Sequence, residues 1–153
     1  MTKKSQIIFM DGKEIALDSL FNGEDGAFGY LAIGYSSEDD NGFEDPKENP
    51  TATNIDPGFK EINITNIPSY KRIALQAVSG SAEKDPDTGK VLKKYQAILD
   101  TDNISTSQNI NQIAVVDSAT PNDADTNIYS ATTFPTFNKT SESSITFIIG
   151  FRL

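Results

Sequence analysis

Five carboxylates and an asparagine surround one glycine in Glu38-Asp39-Asp40-Asn41-Gly42-Phe43-Glu44-Asp45, and such a density of hard oxygen donors is what a calcium ion accepts. The spacing does not follow an EF-hand loop: the alternating Asp/Asn pattern and the closing glutamate are missing, so the segment reads as a solvated charge run with no metal ligands assigned. A second acidic group, Asp117, Asp123 and Asp125, straddles Pro121-Asn122, where Asp and Asn cap backbone groups of a turn. Glycoside hydrolysis would need two carboxylates at a set separation, and nothing in the spacing selects a pair.

The chain has no histidine and no cysteine. That removes the commonest general base, the commonest transition-metal ligand, the Ser-His-Asp arrangement, thiol nucleophiles and disulfides. Gly23 to Gly29 lacks the helix and Lys-Ser/Thr that a phosphate-cradling loop requires. The triplets starting at Asn63, Asn103 and Asn138 match a glycosylation pattern but read as Asn-rich turns without a secretory signal. The expectation is a non-enzyme with no catalytic residues, no cofactor and no metal.

A formal charge of −9, from 22 acidic against 13 basic residues, argues against nucleic acid as a ligand, because phosphate recognition needs a basic surface. The N-terminus offers only Ile7 to Met10 as an apolar run before Asp11-Gly12, too short for a signal-peptide core or a membrane span. No membrane partner is expected.

The elements that would position any site read as strands. Gln6 to Leu17, with Asp11-Gly12 at its centre, has the form of a tight hairpin, with a short helix over Glu14 to Phe21 as the competing reading. Phe28 to Tyr35 predicts a buried strand, and Ser36 to Gly58 a long acidic loop. Further strands are expected over Ile62 to Thr65, Tyr70 to Val78, Val91 to Leu99, Ile110 to Val116, Ile128 to Phe134 and Ser144 to Leu153, with Gly80 to Gly89 as a polar turn and Pro135 ending its strand. The period places Tyr95, Ala97 and Leu99 on one face, and Ile145, Phe147, Ile149 and Phe151 on another. The fold class is therefore all-β: a single β-sandwich or barrel-like domain over 22–153, with seven or eight mainly antiparallel strands, an acidic loop at 36–58 and an N-terminal arm or hairpin over 1–21.

Leu31-Ala32-Ile33-Gly34, Tyr70-Lys71-Arg72-Ile73, Tyr95-Gln96-Ala97, Ile110 to Val115, and the tail from Ile128 to Phe134 with Lys139-Thr140 and Ile145 to Leu153 follow one another in an order that resembles the β module of tail-collar and fibre-attachment proteins of tailed bacteriophages. The resemblance spans most of the chain from Leu31 onward and is a pattern of strands rather than a site. Gln112 departs from it, standing where the family pattern has an acidic residue, and no long fibre follows the domain. The resemblance implies a virion adaptor, ring component, capsid decoration or short head fibre, assembled in the host cytoplasm, without catalytic residues or cofactor.

The expected partners are thus other virion structural proteins and further copies of the chain in a homo-oligomer. A carbohydrate- or cell-surface-binding β-sandwich is the alternative, with Phe43 among Asp39 to Asp45 as its glycan-contact candidate. Ile7, Ile8, Phe9, Met10, Leu17, Leu20 and Phe21, with Ile15, are more apolar groups than a short hairpin can hide, so the arm is expected to make the assembly contact, with an edge strand completing its own domain as the alternative reading.

Overall fold

The computed structural model describes residues 8–35, 60–62, 64, 72–121 and 126–153. The chain opens with helix α1 (Met10–Phe21) and continues through β1 (Tyr30–Tyr35), β2 (Lys60–Glu61), β3 (Ile73–Ala74), β4 (Gln76–Ala77), β5 (Glu83–Asp85), β6 (Lys90–Leu99), β7 (Gln108–Val116), β8 (Ile128–Lys139) and β9 (Ile145–Arg152), with single 3-10 turns at Gly23–Asp25 and Thr101–Asn103. Among the described residues all strand pairs are antiparallel.

Two sheets face each other. In the first, β2 and β3 pair with opposite ends of β1, β1 pairs with β7 and β7 with β8; in the second, β4 and β5 flank β6 on one side and β9 runs along the other. Because side chains alternate along a strand, Leu31 and Ile33 of β1 join Ile113 and Val115 of β7 on the inner face, and Val91, Tyr95, Ala97 and Leu99 of β6 meet them with Phe147 of β9. The opposite face of the first sheet is also buried around Tyr30, Ala32, Ala114 and Val116. Gln112 is buried opposite Gly34 and Thr133 in the ladder.

The all-β sandwich expected from the sequence is the architecture found, with corrections to several elements. The N-terminal hairpin is replaced by α1, which carries Met10, Leu17, Leu20 and Phe21 along one helical stripe and packs it on the core. Asp11-Gly12 sits inside its first turn, a local turn signal overridden by tertiary burial. The helix ends where Asn22 turns extended and Gly23 adopts φ 62°, and the amides of Asn22, Ala27 and Phe28 take up the carbonyls of Asp18, Ser19 and Leu20.

The run from Tyr70 to Val78 is not one strand. Ile73–Ala74 pairs with β1 and Gln76–Ala77 with β6, so the chain crosses from one sheet to the other at fully buried Leu75, whose amide bonds the carbonyl of Gly29 at 2.7 Å. The polar stretch Gly80 to Gly89 contains β5, paired to the start of β6 across a turn that closes on Gly89 at φ 69°. Pro135 does not end its strand: β8 continues to Lys139, and the register on β7 jumps from Ile110↔Phe137 to Gln112↔Thr133. Proline is tolerated at such an irregularity because no ladder amide is required there. The acidic loop at 36–58 lies outside the described residues.

Candidate functional site

The most heavily charged cluster among the described side chains is the seam between α1 and the strands below it. Asp11, Glu14 and Asp18 recur at helical spacing on one face of α1. Opposite them, the period of β6 puts Lys93 and Tyr95 on the same inner face. Lys93 is only 8% exposed, and its Nζ lies 2.8 Å from Asp18 Oδ2 and 3.4 Å from Glu14 Oε1. Tyr95 Oη donates to Asp18 Oδ1 at 2.6 Å. Farther out, Lys84 of β5 bridges Asp11 at 2.7 Å and Glu14 at 3.0 Å, while Lys13 Nζ donates to the carbonyl of Gly89 at 2.7 Å.

The titration behaviour follows from this geometry. Burial alone would raise the Asp18 carboxyl, but hydrogen bonds from Lys93 and Tyr95, with the Lys93 charge, hold it below the usual carboxylate range. Burial opposes the charged form of Lys93, and Asp18 with Glu14 more than offsets this and raises it. Tyr95 is raised, first by burial and then by its bond to Asp18. Asp11 is lowered by its hydrogen bond from Lys84. Asp18, Lys93 and Tyr95 are thus locked to one another, an arrangement that fixes a helix on a sheet.

Other buried charges are engaged in the same way. Arg72 forks onto Glu61, with Nε to Oε1 at 2.6 Å and Nη2 to Oε2 at 3.0 Å, and its Nη1 reaches the Ser118 carbonyl and Thr126 Oγ1. That clasp joins β2 to the segments after β7 and before β8. Lys139 is fully buried and donates to the carbonyls of Asp100, Thr140 and Ser143, closing the turn into β9.

The residues singled out from the sequence divide accordingly. Leu17 and Phe21 are inside the domain's own core, so as assembly contacts these two are corrected: they complete the sandwich, while Met10 and Leu20 pack against it only partly buried. Ile8, Phe9 and Ile15 are 60%, 79% and 67% exposed, and Ile7 lies outside the described residues. Asp117 takes both the amide and the side-chain nitrogen of Asn127 on its carboxylate, at 2.8 and 2.7 Å, which is turn capping; Asp123 and Asp125 lie outside the described residues. The candidate calcium and glycan segment from Glu38 to Asp45 lies outside them too.

Asn103 is buried and accepts the amide of Asp100 in a capping box, and Asn138 bonds Asn109. Gly29 is a close-packing position, since a Cβ there would fall 1.7 Å from the carbonyl oxygen of Gly23. Among the described residues no group of three or more His, Cys, Asp or Glu side chains is placed to hold a metal ion, and no helix is long and apolar enough to cross a membrane. The α1 seam itself was missed from the sequence. Its only signal was Asp11, Glu14 and Asp18 at helical spacing, legible once the segment is taken as a helix.

Comparison with family models, with curated proteins and with solved structures gave no match for this chain.

Proposed function

We propose that the chain is a non-catalytic structural subunit that packs on other proteins. Its resemblance to the tail-collar and fibre-attachment module makes a tailed-phage virion the assembly in question, with the chain as adaptor, ring component, capsid decoration or short fibre component. The observation that carries the reading is the apolar strip at the start of α1. Ile8 and Phe9 precede the first turn, Ile15 follows at helical spacing, and between them Gly12 presents no side chain. Three large apolar side chains exposed within one short segment support an interaction surface there.

Two further features support the reading. Histidine and cysteine are absent from the sequence, and Asp18, Lys93, Tyr95, Glu61, Arg72 and Lys139 each serve a structural contact. Mass spectrometry of purified virions tests the proposal. The protein is expected at stoichiometric level in intact particles, and a Phe9→Ser variant is expected to be folded but missing from them. Absence of the wild-type chain from particles, together with binding on a glycan array, would replace this reading with the carbohydrate-binding one.

A further inference from the structure

A strand at the edge of a sheet exposes unpaired amides and carbonyls, and proteins blunt such edges with short length, charge, proline or bulges. Three of the edge segments here are protected in these ways. β4 has two residues. β5 has three, all charged: Glu83, Lys84 and Asp85. β8 is long but carries Pro135 and two register shifts. β9 has none of these protections: it runs eight residues, ITFIIGFR, in unbroken register with β6, with Arg152 at its end as its only charge.

The polarity of that edge can be derived. Val91 and Leu153 exchange both backbone hydrogen bonds, at 2.9 and 2.8 Å. Antiparallel ladders alternate bonded and non-bonded pairs, so Ile145, Phe147, Ile149 and Phe151 direct their backbone groups to β6. Thr146, Ile148, Gly150 and Arg152 direct theirs away from it, and none of these four has a backbone partner on that side among the described residues. The same alternation makes Lys94 of β6 face the other way, where its carbonyl accepts the amide of Val78.

We propose that β9 is a homodimer edge, pairing antiparallel with β9 of a second copy about a two-fold axis at Ile149. This deepens the assembly reading above by naming a partner, although it stands on the geometry of β9. The occupant follows from self-complementarity. With the axis at Ile149, Thr146 pairs with Arg152 of the second copy and Ile148 with Gly150, so all four outward-facing residues find partners at once. Ile148, 60% exposed, then faces a residue with no side chain of its own, beside which Leu92 of β6 already packs, twice by symmetry. No acidic residue lies on β9, so two chains of charge −9 meet along a strip where carboxylate does not oppose carboxylate. A two-fold contact of this kind closes on itself instead of propagating, and it joins the two β6–β9 sheets into one.

Sedimentation of the full chain over a concentration series provides the test. The wild type is expected to form a dimer, and Ile148→Lys, which sets two ammonium groups diagonally across the axis, is expected to be monomeric with unchanged circular dichroism and melting temperature. Thr146→Pro removes an outward amide without deleting a hydrogen bond to β6 and is expected to do the same. Amide exchange on the unmodified chain gives a readout independent of mutant folding: Ile148 and Gly150 should gain protection as concentration rises. A wild type that stays monomeric at all concentrations, or exchange at these amides that does not depend on concentration, overturns the proposal. A dimer that persists in both variants also overturns it, moving the contact elsewhere while the assembly role, read from virion content, still stands.

Discussion

The rings of Phe21 and Phe151 lie nearly parallel, with centroids 3.6 Å apart and planes 7° from each other. The last residue of α1 is thereby packed onto the last strand, and Tyr95 and Tyr129 close around the same ring at 5.8 and 4.8 Å. Helix, β6, β8 and β9 converge on one side chain. Phe21→Ala would remove the centre of that cluster from a fully buried site, at an expected loss of about 3–5 kcal/mol in urea unfolding. Deleting the residues before Asn22 is expected to give an unfolded or aggregated remainder by circular dichroism, because Leu17 and Phe21 leave with the segment.

The α1 seam contributes to the pH dependence of stability. The Asp18 carboxyl is lower in the folded than in the unfolded state, so its contribution is fully present above the unfolded carboxylate value of about 3.9 and is lost as pH falls through the folded value. Lys93 and Tyr95 are raised. Their contribution is complete below the unfolded value, about 10 for both groups, and is lost as pH rises through the folded values. Thermal melts should therefore show a plateau with losses at both extremes. Asp18→Asn is expected to lower the plateau and to flatten the acid limb, and a mutant whose acid limb keeps the wild-type slope would contradict this assignment.

Arg72 and Glu61 form a buried, bidentate pair. Removing one partner leaves the other charge without its counterpart, so Arg72→Ala is expected to cost about 3–5 kcal/mol, and Arg72→Lys a substantial part of that because an ammonium cannot reproduce the fork. Replacing both residues by methionine should cost less than either single removal. A double-mutant cycle by chemical denaturation measures the difference.

How far the fold was legible depended on how plainly a segment carried its period. β6 and β9 were clear because Tyr95, Ala97 and Leu99, and Phe147, Ile149 and Phe151, alternate with polar or exposed positions and pack where that alternation puts them. β5 was not, because Glu83-Lys84-Asp85 has no apolar face and is a strand only through its pairing with β6. The crossing at Leu75 left no mark, since an alternating run looks the same whether its halves join one sheet or two. Asp11-Gly12 pointed to a hairpin, and the contacts that favour a helix are non-local: Leu17 and Phe21 are buried in the core, and Lys84 and Lys93, more than sixty residues away along the chain, meet Asp11, Glu14 and Asp18. For the same reason the apolar N-terminal residues could be listed from the sequence but not divided into core and surface.

That division yields the remaining prediction. Leu17 and Phe21 face inward while Ile8, Phe9 and Ile15 face water, so polar substitutions should have opposite consequences in the two groups. Phe9→Ser and Ile15→Ser lose little burial within the domain, and their unfolding free energies are expected to stay within about 0.5 kcal/mol of wild type. If the strip docks on a partner, each lost side chain removes roughly 1.5–3 kcal/mol of burial from the complex, which corresponds to about 10- to 100-fold weaker association. The measurement is paired: urea unfolding for each variant alone, and co-sedimentation of each variant with particles that lack the protein. Unchanged stability with lost particle binding is the expected result. Unchanged binding would remove the strip from the interface, and a drop in stability comparable to that of Phe21→Ala would mean that the strip belongs to the core after all.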